Sequence, residues 1–221
     1  MTVKPDGRRR YGQACNITRT LDLVVERWTL LLLRELFTGP RSYGQLSTAL
    51  PGIGTNLLAG RLKQLEADQL IEKAPSQEIR SRLIYQIAER GRKLEPVLVE
   101  MVRFGALLGD VDRYGDFHRP AWAVLASRAA FRPDVAGGLT ERYEFRVDDE
   151  VFFLGVKDGR PDTGIGNATN PVVIAEMTAG TFAKVQSWQM TMAQGVWVGD
   201  IRVVDGFSAA LDRCEQIFSG T

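Results

Sequence analysis

In the stretch 54–69, GTNLLAGRLKQLEADQ, the apolar residues Leu58, Leu62 and Leu65 recur at the four-then-three spacing of one buried helix face. Directly after it the apolar period falls from 3.6 to 2. That switch constrains the fold more than any other feature. A helix seated by one stripe must hand over at once to strands. Its outward residues Asn56, Ala59, Gly60 and Lys63 are small or polar, a face suited to approaching a polar groove. An ordinary amphipathic surface helix satisfies the same pattern, so the neighbouring segments decide between the two.

Upstream, 28–37 (WTLLLLRELF) is apolar nearly all round, as the central helix of a small bundle would be, and Gly39-Pro40 stops it. A shorter helix before it takes Asn16 as N-cap and turns Ile17, Leu21, Val24 and Val25 to one side. Ser42 and Gln45 have the spacing of a capping box, with Leu46 and Leu50 behind them and Pro51-Gly52 ending the helix. The result is helix, short turn, helix. The second helix opens at Gly54 or Thr55, where unpaired N–H groups and the positive dipole end favour a phosphate. Thr55, Asn56 and Lys63 would reach base edges or backbone, and Arg61, on the flank, phosphate. Gly60 costs about 1 kcal/mol of helix propensity relative to alanine; close approach of a partner backbone explains it, and so does chance.

Downstream, 70–74 and 82–87 read as two strands, the second with Leu83, Tyr85 and Ile87 inward. Their tip carries Arg80, bordered by Lys73 and Arg82, and makes a basic wing beside the minor groove, or else a hairpin with solvated charges. A long helix over 89–108 follows, striped by Leu94, Val97, Leu98, Met101, Phe104 and Leu108, with Pro96 marking a kink or a late start. The stripe is wider than one small domain covers. It fits a dimer interface, or packing against a second domain.

Charge supports the polyanion reading. Residues 1–110 hold 17 Lys and Arg against 12 Asp and Glu, and residues 111–221 hold 11 against 15. Only the first half is basic, and the Arg8–Arg10 run adds a mobile arm. One histidine and two distant cysteines leave little from which to build a metal site, a catalytic triad or a disulfide framework, so neither a metal, a cofactor nor an enzyme is expected. The chain shows no signal core and no apolar run near the ~20 residues of a membrane span, which points to a cytoplasmic protein with no membrane partner.

The run CNITRTLDLVVERWTLLLLRELFTGPRSYGQLSTALPGIGTNLLAGRLKQLEADQLIEK, followed by YQIAERGRKLEPVL, resembles the HxlR-type winged-helix regulators, relatives of the MarR group. The resemblance covers about 14–108. It rests on the cysteine before the first helix, the Trp of the second, R-x-Y-G-x-L, L-x-x-R-L-x-x-L and E-R-G. It implies a homodimeric transcription factor that binds inverted repeats in double-stranded DNA through its fourth helix and wing. Ser42, Gly54, Thr55, Asn56, Ala59, Arg61, Lys63, Lys73, Arg80 and Arg82 are the candidate contacts. Two departures stand out: Gln69 where relatives carry Gly, which would make this helix end close differently, and Gly54-Thr55 where they carry Ser-Pro. In some members a cysteine at the position of Cys15 senses oxidants; a plain structural residue at a helix start is the other reading.

After a linker over 109–119, Pro120 opens a helix carrying Trp122, Leu125, Ala126 and Ala129. Strands are expected at 143–147, 151–156, 160–165, 172–175, 196–198 and 201–204. Helices are expected near 179–185 and 207–218, the latter with Phe207, Leu211, Cys214 and Phe218 on one face. The spacing of apolar residues and glycines resembles the sterol-carrier-protein fold, which implies an apolar tunnel for a hydrophobic small molecule or lipid. Trp122, Phe153, Trp188, Met190, Met192, Trp197 and Phe218 would line it, or simply fill the core. The expected fold is α+β: a winged helix-turn-helix domain over 1–110 for DNA binding and dimerisation, then a sterol-carrier-like α+β domain over 111–221 with a mostly antiparallel sheet. A lipid carrier that uses the winged helix only to dimerise is the alternative.

Overall fold

The computed structural model describes residues 2–3, 9–76, 82–108 and 118–219. The chain forms two compact units, 1–98 and 99–221. In the first, β1 (Thr2–Val3) and β2 (Arg9–Arg10) pair antiparallel ahead of α1 (Asn16–Val24). The N-cap of α1 is Cys15 rather than the expected Asn16, because the Cys15 Sγ accepts the Thr18 N–H at 3.4 Å. Val24 is buried while Ile17 and Val25 are exposed, so the apolar face of α1 is only partly used.

Next comes α2 (Thr29–Thr38), which buries Leu32, Leu33, Leu36 and Phe37. Trp28 lies outside it, contrary to the sequence reading, as a left-handed N-cap at φ 76°. Glu35 is fully buried on α2, and Arg34 Nη2 reaches it at 3.0 Å. After Gly39 the chain makes β3 (Arg41–Ser42) and enters α3 (Tyr43–Ala49). Both halves of the expected capping box form: Gln45 N–H donates to Ser42 Oγ at 3.3 Å and Ser42 N–H to Gln45 Oε1 at 2.8 Å.

After the turn at Gly52 comes α4 (Thr55–Ala67), seated by buried Leu58, Leu62 and Leu65. It hands over to β4 (Ile71–Pro75) and β5 (Leu83–Ile87), which pair antiparallel. The short β3 adds to the far side of β5, giving the order β3-β5-β4. Ile87 is buried but Leu83, expected inward, is exposed; it pairs with Pro75 at the distal end of the ribbon, beyond the core that buries Ile71 and Ile87. The helix expected over 89–108 is two helices, α5 (Glu89–Arg92) and α6 (Glu95–Ala106), with Pro96 in the first turn of α6, where its missing N–H costs least. Of the expected stripe only Leu98 is buried.

The end of α4 closes in a Schellman arrangement. Leu70 N–H donates to Leu65 O at 2.9 Å, Gln69 N–H to Glu66 O at 3.0 Å, and Gln69 sits left-handed at φ 59°. The different closure expected from a Gln at this position does not occur: buried Leu65 and Leu70 impose the turn on it.

The second unit starts with a 3-10 turn, Pro120–Trp122, then α7 (Ala123–Ala130) and α8 (Pro133–Ala136). Its sheet holds β6 (Glu141–Val147), β7 (Glu150–Lys157), β8 (Arg160–Pro161), β9 (Gly164–Ile165), β10 (Val173–Met177) and β11 (Ile201–Gly206). The order is β11-β10-β6-β7-β8, with β9 also on β7, and β10–β6 is parallel while the other pairings are antiparallel. Three helices complete it: α9 (Ala179–Gln186), α10 (Met192–Val198) and α11 (Ala209–Ile217).

Three expectations here need correction. The strand expected at 196–198 is the end of α10, because a Thr191/Gln194 capping box starts that helix and left-handed Gly199 ends it. The strand expected at 160–165 is broken between β8 and β9, where Asp162 N–H donates to Gly155 O at 2.8 Å and its carboxylate accepts from Arg142 Nε at 2.6 Å. Phe207 precedes α11 and is exposed, so it does not share the face of Leu211 and Cys214. The core joins Tyr143, Phe145 and Val147 of β6 to Phe152, Val173, Ala175, Phe182, Leu211 and Cys214. The Phe145, Phe152 and Phe182 rings lie 5.4–6.4 Å apart.

A left-handed conformation costs a side-chain-bearing residue about 1–2 kcal/mol that glycine does not incur. Gln69→Gly is therefore expected to stabilise the first unit by about 1 kcal/mol, less what the more flexible unfolded glycine returns. Its thermal midpoint, followed by circular dichroism, should rise; a midpoint equal to or below that of the parent would show that the turn at Gln69 carries no such penalty.

Candidate nucleic-acid interface

Three contacts set the angle between α3 and α4. Tyr43 Oη donates to the Thr55 carbonyl at 3.0 Å, Ile53 is buried in the turn, and the Trp28 ring lies 3.7 Å from where a side chain on Gly52 would begin. Gly52 holds φ 91° there. With α3 and the core behind it, α4 presents Gly54, Thr55, Asn56, Ala59, Gly60 and Lys63 as one exposed surface. Gly54 supplies no side-chain cap, so the first N–H groups of α4 stay available to an anion. Nothing lies within 4 Å of the Cβ positions of Gly54 or Gly60, so the chain's own packing does not require either glycine.

The expected cations divide into two sets. Arg61 Nη2 pairs with Glu26 at 2.8 Å and Lys73 Nζ with Glu66 at 2.8 Å, the latter 5.5 Å from the Tyr85 ring centroid. The Glu66 hydrogen bond holds the Lys73 pKa above its ordinary value. Lys63 and Arg82 are exposed, whereas Arg80 falls outside the described residues. Ser42 is buried and caps α3. Tyr43, Glu26 and Glu66 are the residues sequence reasoning missed. Glu66 and Lys73 lie across an element boundary, and Glu26 and Arg61 are 35 positions apart, so neither pair leaves a local signal.

Cys15 is exposed. The Thr18 side chain, 3.2 Å from Sγ, and then the Thr18 N–H hold its thiol below the ordinary pKa. Burial pushes the Cys214 thiol up.

In the second unit the candidate ligand residues do not converge on one lining. Met192 is buried, and Met190 and Phe218 border the same core. Phe153 lies 5.7 Å below the Arg142 guanidinium, and Trp122 meets His118 edge-on at 5.8 Å. Trp188 is 61 % exposed and Trp197 89 %.

A helix-turn-helix followed by the β4–β5 ribbon, with the short β3 ahead of α3 completing a three-stranded antiparallel sheet, defines the first unit as a winged helix-turn-helix domain. Residues 23–112 match the HxlR-like helix-turn-helix family. An uncharacterized HTH-type transcriptional regulator of Synechocystis is 43 % identical over 95 residues, 43 % of this chain and 70 % of that protein. One from Mycobacterium tuberculosis is 40 % identical over 105 residues, 48 % of this chain and 65 % of its own length. The HTH-type transcriptional regulator YodB of Bacillus subtilis is 33 % identical over 79 residues, 36 % of this chain and 70 % of its own. The chain belongs to the HxlR-like helix-turn-helix family.

The thiolate is the reactive form of cysteine. Iodoacetamide at pH 7 should therefore alkylate Cys15 well before Cys214, and Thr18→Val should slow Cys15 by roughly threefold. Peptide mass spectrometry over a time course reads both rates; equal rates at Cys15 with and without the Thr18 hydroxyl would remove it as the cause.

Proposed function

We propose that the chain is a transcriptional regulator that reads duplex DNA with α4 and steadies itself on the backbone with the wing. The observation that carries this is the exposed, small and polar face of α4, from Gly54 to Lys63, held outward by a buried leucine stripe and framed by Tyr43. The relatives named above, all called HTH-type transcriptional regulators, support it. Thr55, Asn56 and Ala59 would face base edges, while the α4 N-terminus, Lys63, Arg82 and the wing-tip Arg80 would hold phosphate. In Lys63→Ala/Arg80→Ala the slope of log K against log salt should fall by about two units, one per lost phosphate contact. Unchanged affinity and slope for a palindromic duplex would remove the helix-and-wing assignment.

A homodimer would form on α6, where Val97, Met101, Phe104, Leu107 and Leu108 are all exposed, Phe104 at 64 %. Two-fold symmetry would then set two α4 helices one DNA turn, about 34 Å, apart. The second unit would be the effector domain: a sterol-carrier-like sheet taking an apolar ligand at the part of the core where Met190, Met192 and Phe218 pack. Native mass spectrometry of the full chain reads both points. The dimer mass is expected, reverting to the monomer in Met101→Glu/Phe104→Glu, with an apolar ligand retained on the parent. A parent monomer would remove the dimer; a retained lipid in a protein that binds no duplex would favour a carrier. Oxidant sensing at Cys15 is a second reading, favoured by the two Thr18 hydrogen bonds to its sulfur. Its chemical premise is the alkylation difference stated above.

A further inference from the structure

Arg61 lies on the DNA-facing helix, and a cation there is ordinarily assigned to phosphate. Its surroundings in this chain are different. The guanidinium crosses to Glu26, in the corner between α1 and α2, and Nη2 meets Glu26 Oε2 at 2.8 Å. The Arg61 side chain is 21 % exposed, and its Nε is buried with no hydrogen-bond partner. A guanidinium that swung out to phosphate would leave the Glu26 carboxylate, whose side chain is 41 % exposed, without this partner, and charge-assisted hydrogen bonds are stronger than neutral ones.

The same corner makes a second contact with the reading motif. Two residues after Glu26, Trp28 takes up φ 76° and lays its ring against Gly52, in the turn between α3 and α4. The corner is itself fixed: Val25 N–H donates to Leu21 O at 3.0 Å, Thr29 N–H to Glu26 O at 3.0 Å, and the Arg27 guanidinium lies 5.5 Å from the Trp28 ring centroid. A bulky residue held left-handed costs energy and persists only where its surroundings demand it. Glu26 and Trp28 therefore grip the helix-turn-helix at two points, the body of α4 and the turn before it.

We infer that the α1–α2 corner is the seat of the reading helix, and that Arg61 is a positioning residue held by Glu26 rather than a phosphate contact. The inference rests on the DNA-reading proposal and refines it. Two alternatives differ in sign. If Arg61 contacts phosphate, Arg61→Gln lowers the salt slope by about one unit. If Glu26 competes with DNA for Arg61, Glu26→Gln tightens binding and steepens the slope.

The test uses the full chain, a 30-base-pair mixed-sequence duplex and fluorescence anisotropy from 50 to 200 mM KCl. Glu26→Gln, Arg61→Gln and the double variant are each expected to weaken binding by about threefold or more with the slope unchanged, the double no worse than the worse single, as for two residues acting through one contact. Lys63→Gln, as control, should lower the slope by about one unit. A lowered slope in Arg61→Gln, or tighter binding in Glu26→Gln, overturns the inference. Hydrogen exchange on the free protein gives an independent reading: α4 amides should exchange faster, by a similar factor, in both single variants, and unchanged exchange overturns the brace. If the parent binds no duplex even at 50 mM KCl, the DNA-reading proposal fails, while the exchange result still decides whether Glu26 seats α4.

Discussion

The peptide group between Gln69 and Leu70, together with the Leu70 carbonyl, ties the first unit together. Leu70 N–H ends α4 by donating to Leu65 O, and Leu70 O accepts the Ala88 N–H at 3.1 Å from the start of α5. Gly91 then passes so close that a Cβ there would lie 2.0 Å from Leu70 O, which no side chain can do. One residue thereby joins the end of α4, the root of the wing and the entry to α5 and α6. The left-handed turn at Gln69 and the obligatory glycine in E-R-G serve one junction. The direction in which β4 leaves α4, and with it the placement of the wing beside that helix, follows from it.

Around this frame, charge is divided between holding the motif and offering it. Glu26 and Glu66 each take a cation from the α4 region, Arg61 and Lys73 respectively. Within α2, Glu35 is fully buried between Arg34 at 3.0 Å and Arg41 at 3.8 Å. A buried carboxylate is tolerable only with such partners. Arg41 begins β3 and Ser42 caps α3, so this cluster also fixes where the helix-turn-helix starts.

Where periodicity was long and caps were local, sequence and structure agree. The Leu58/Leu62/Leu65 stripe, the Ser42/Gln45 capping box and the Tyr143/Phe145/Val147 alternation were all legible, because each is encoded within a few residues. What failed depends on distant partners or on very short segments. The two-residue β3 exists only because β5 offers it an edge far downstream. Three apolar residues at 196–198 fit a strand or a helix end equally well, and the Thr191/Gln194 cap upstream decides for the helix. Candidate DNA contacts were legible as a face of α4, but the sequence could not show that Arg61 and Lys73 are held by carboxylates. In the second unit apolar residues could be listed but not sorted: Met192 is buried and Trp197 almost fully exposed, five positions apart on one short helix.

This sorting of charge bears on the proposed assembly. Of the described cations on α4 and the wing, Lys63 and Arg82 have no carboxylate partner. Each phosphate contact contributes a slope of about −0.9 in log K against log salt. With the proposed Arg80 contact a single copy would make three, for a slope of about −3, the salt sensitivity of a weak encounter. In the proposed dimer a second copy would double these contacts and make the second encounter intramolecular, which would raise the effective concentration of α4 without any new cation. Committing Arg61 and Lys73, two of the four described cations on α4 and the wing, to carboxylates of the same chain would fix the placement of α4 and lower monomer affinity. In the proposed α6 dimer that affinity would be recovered by the second copy rather than by further cations on α4.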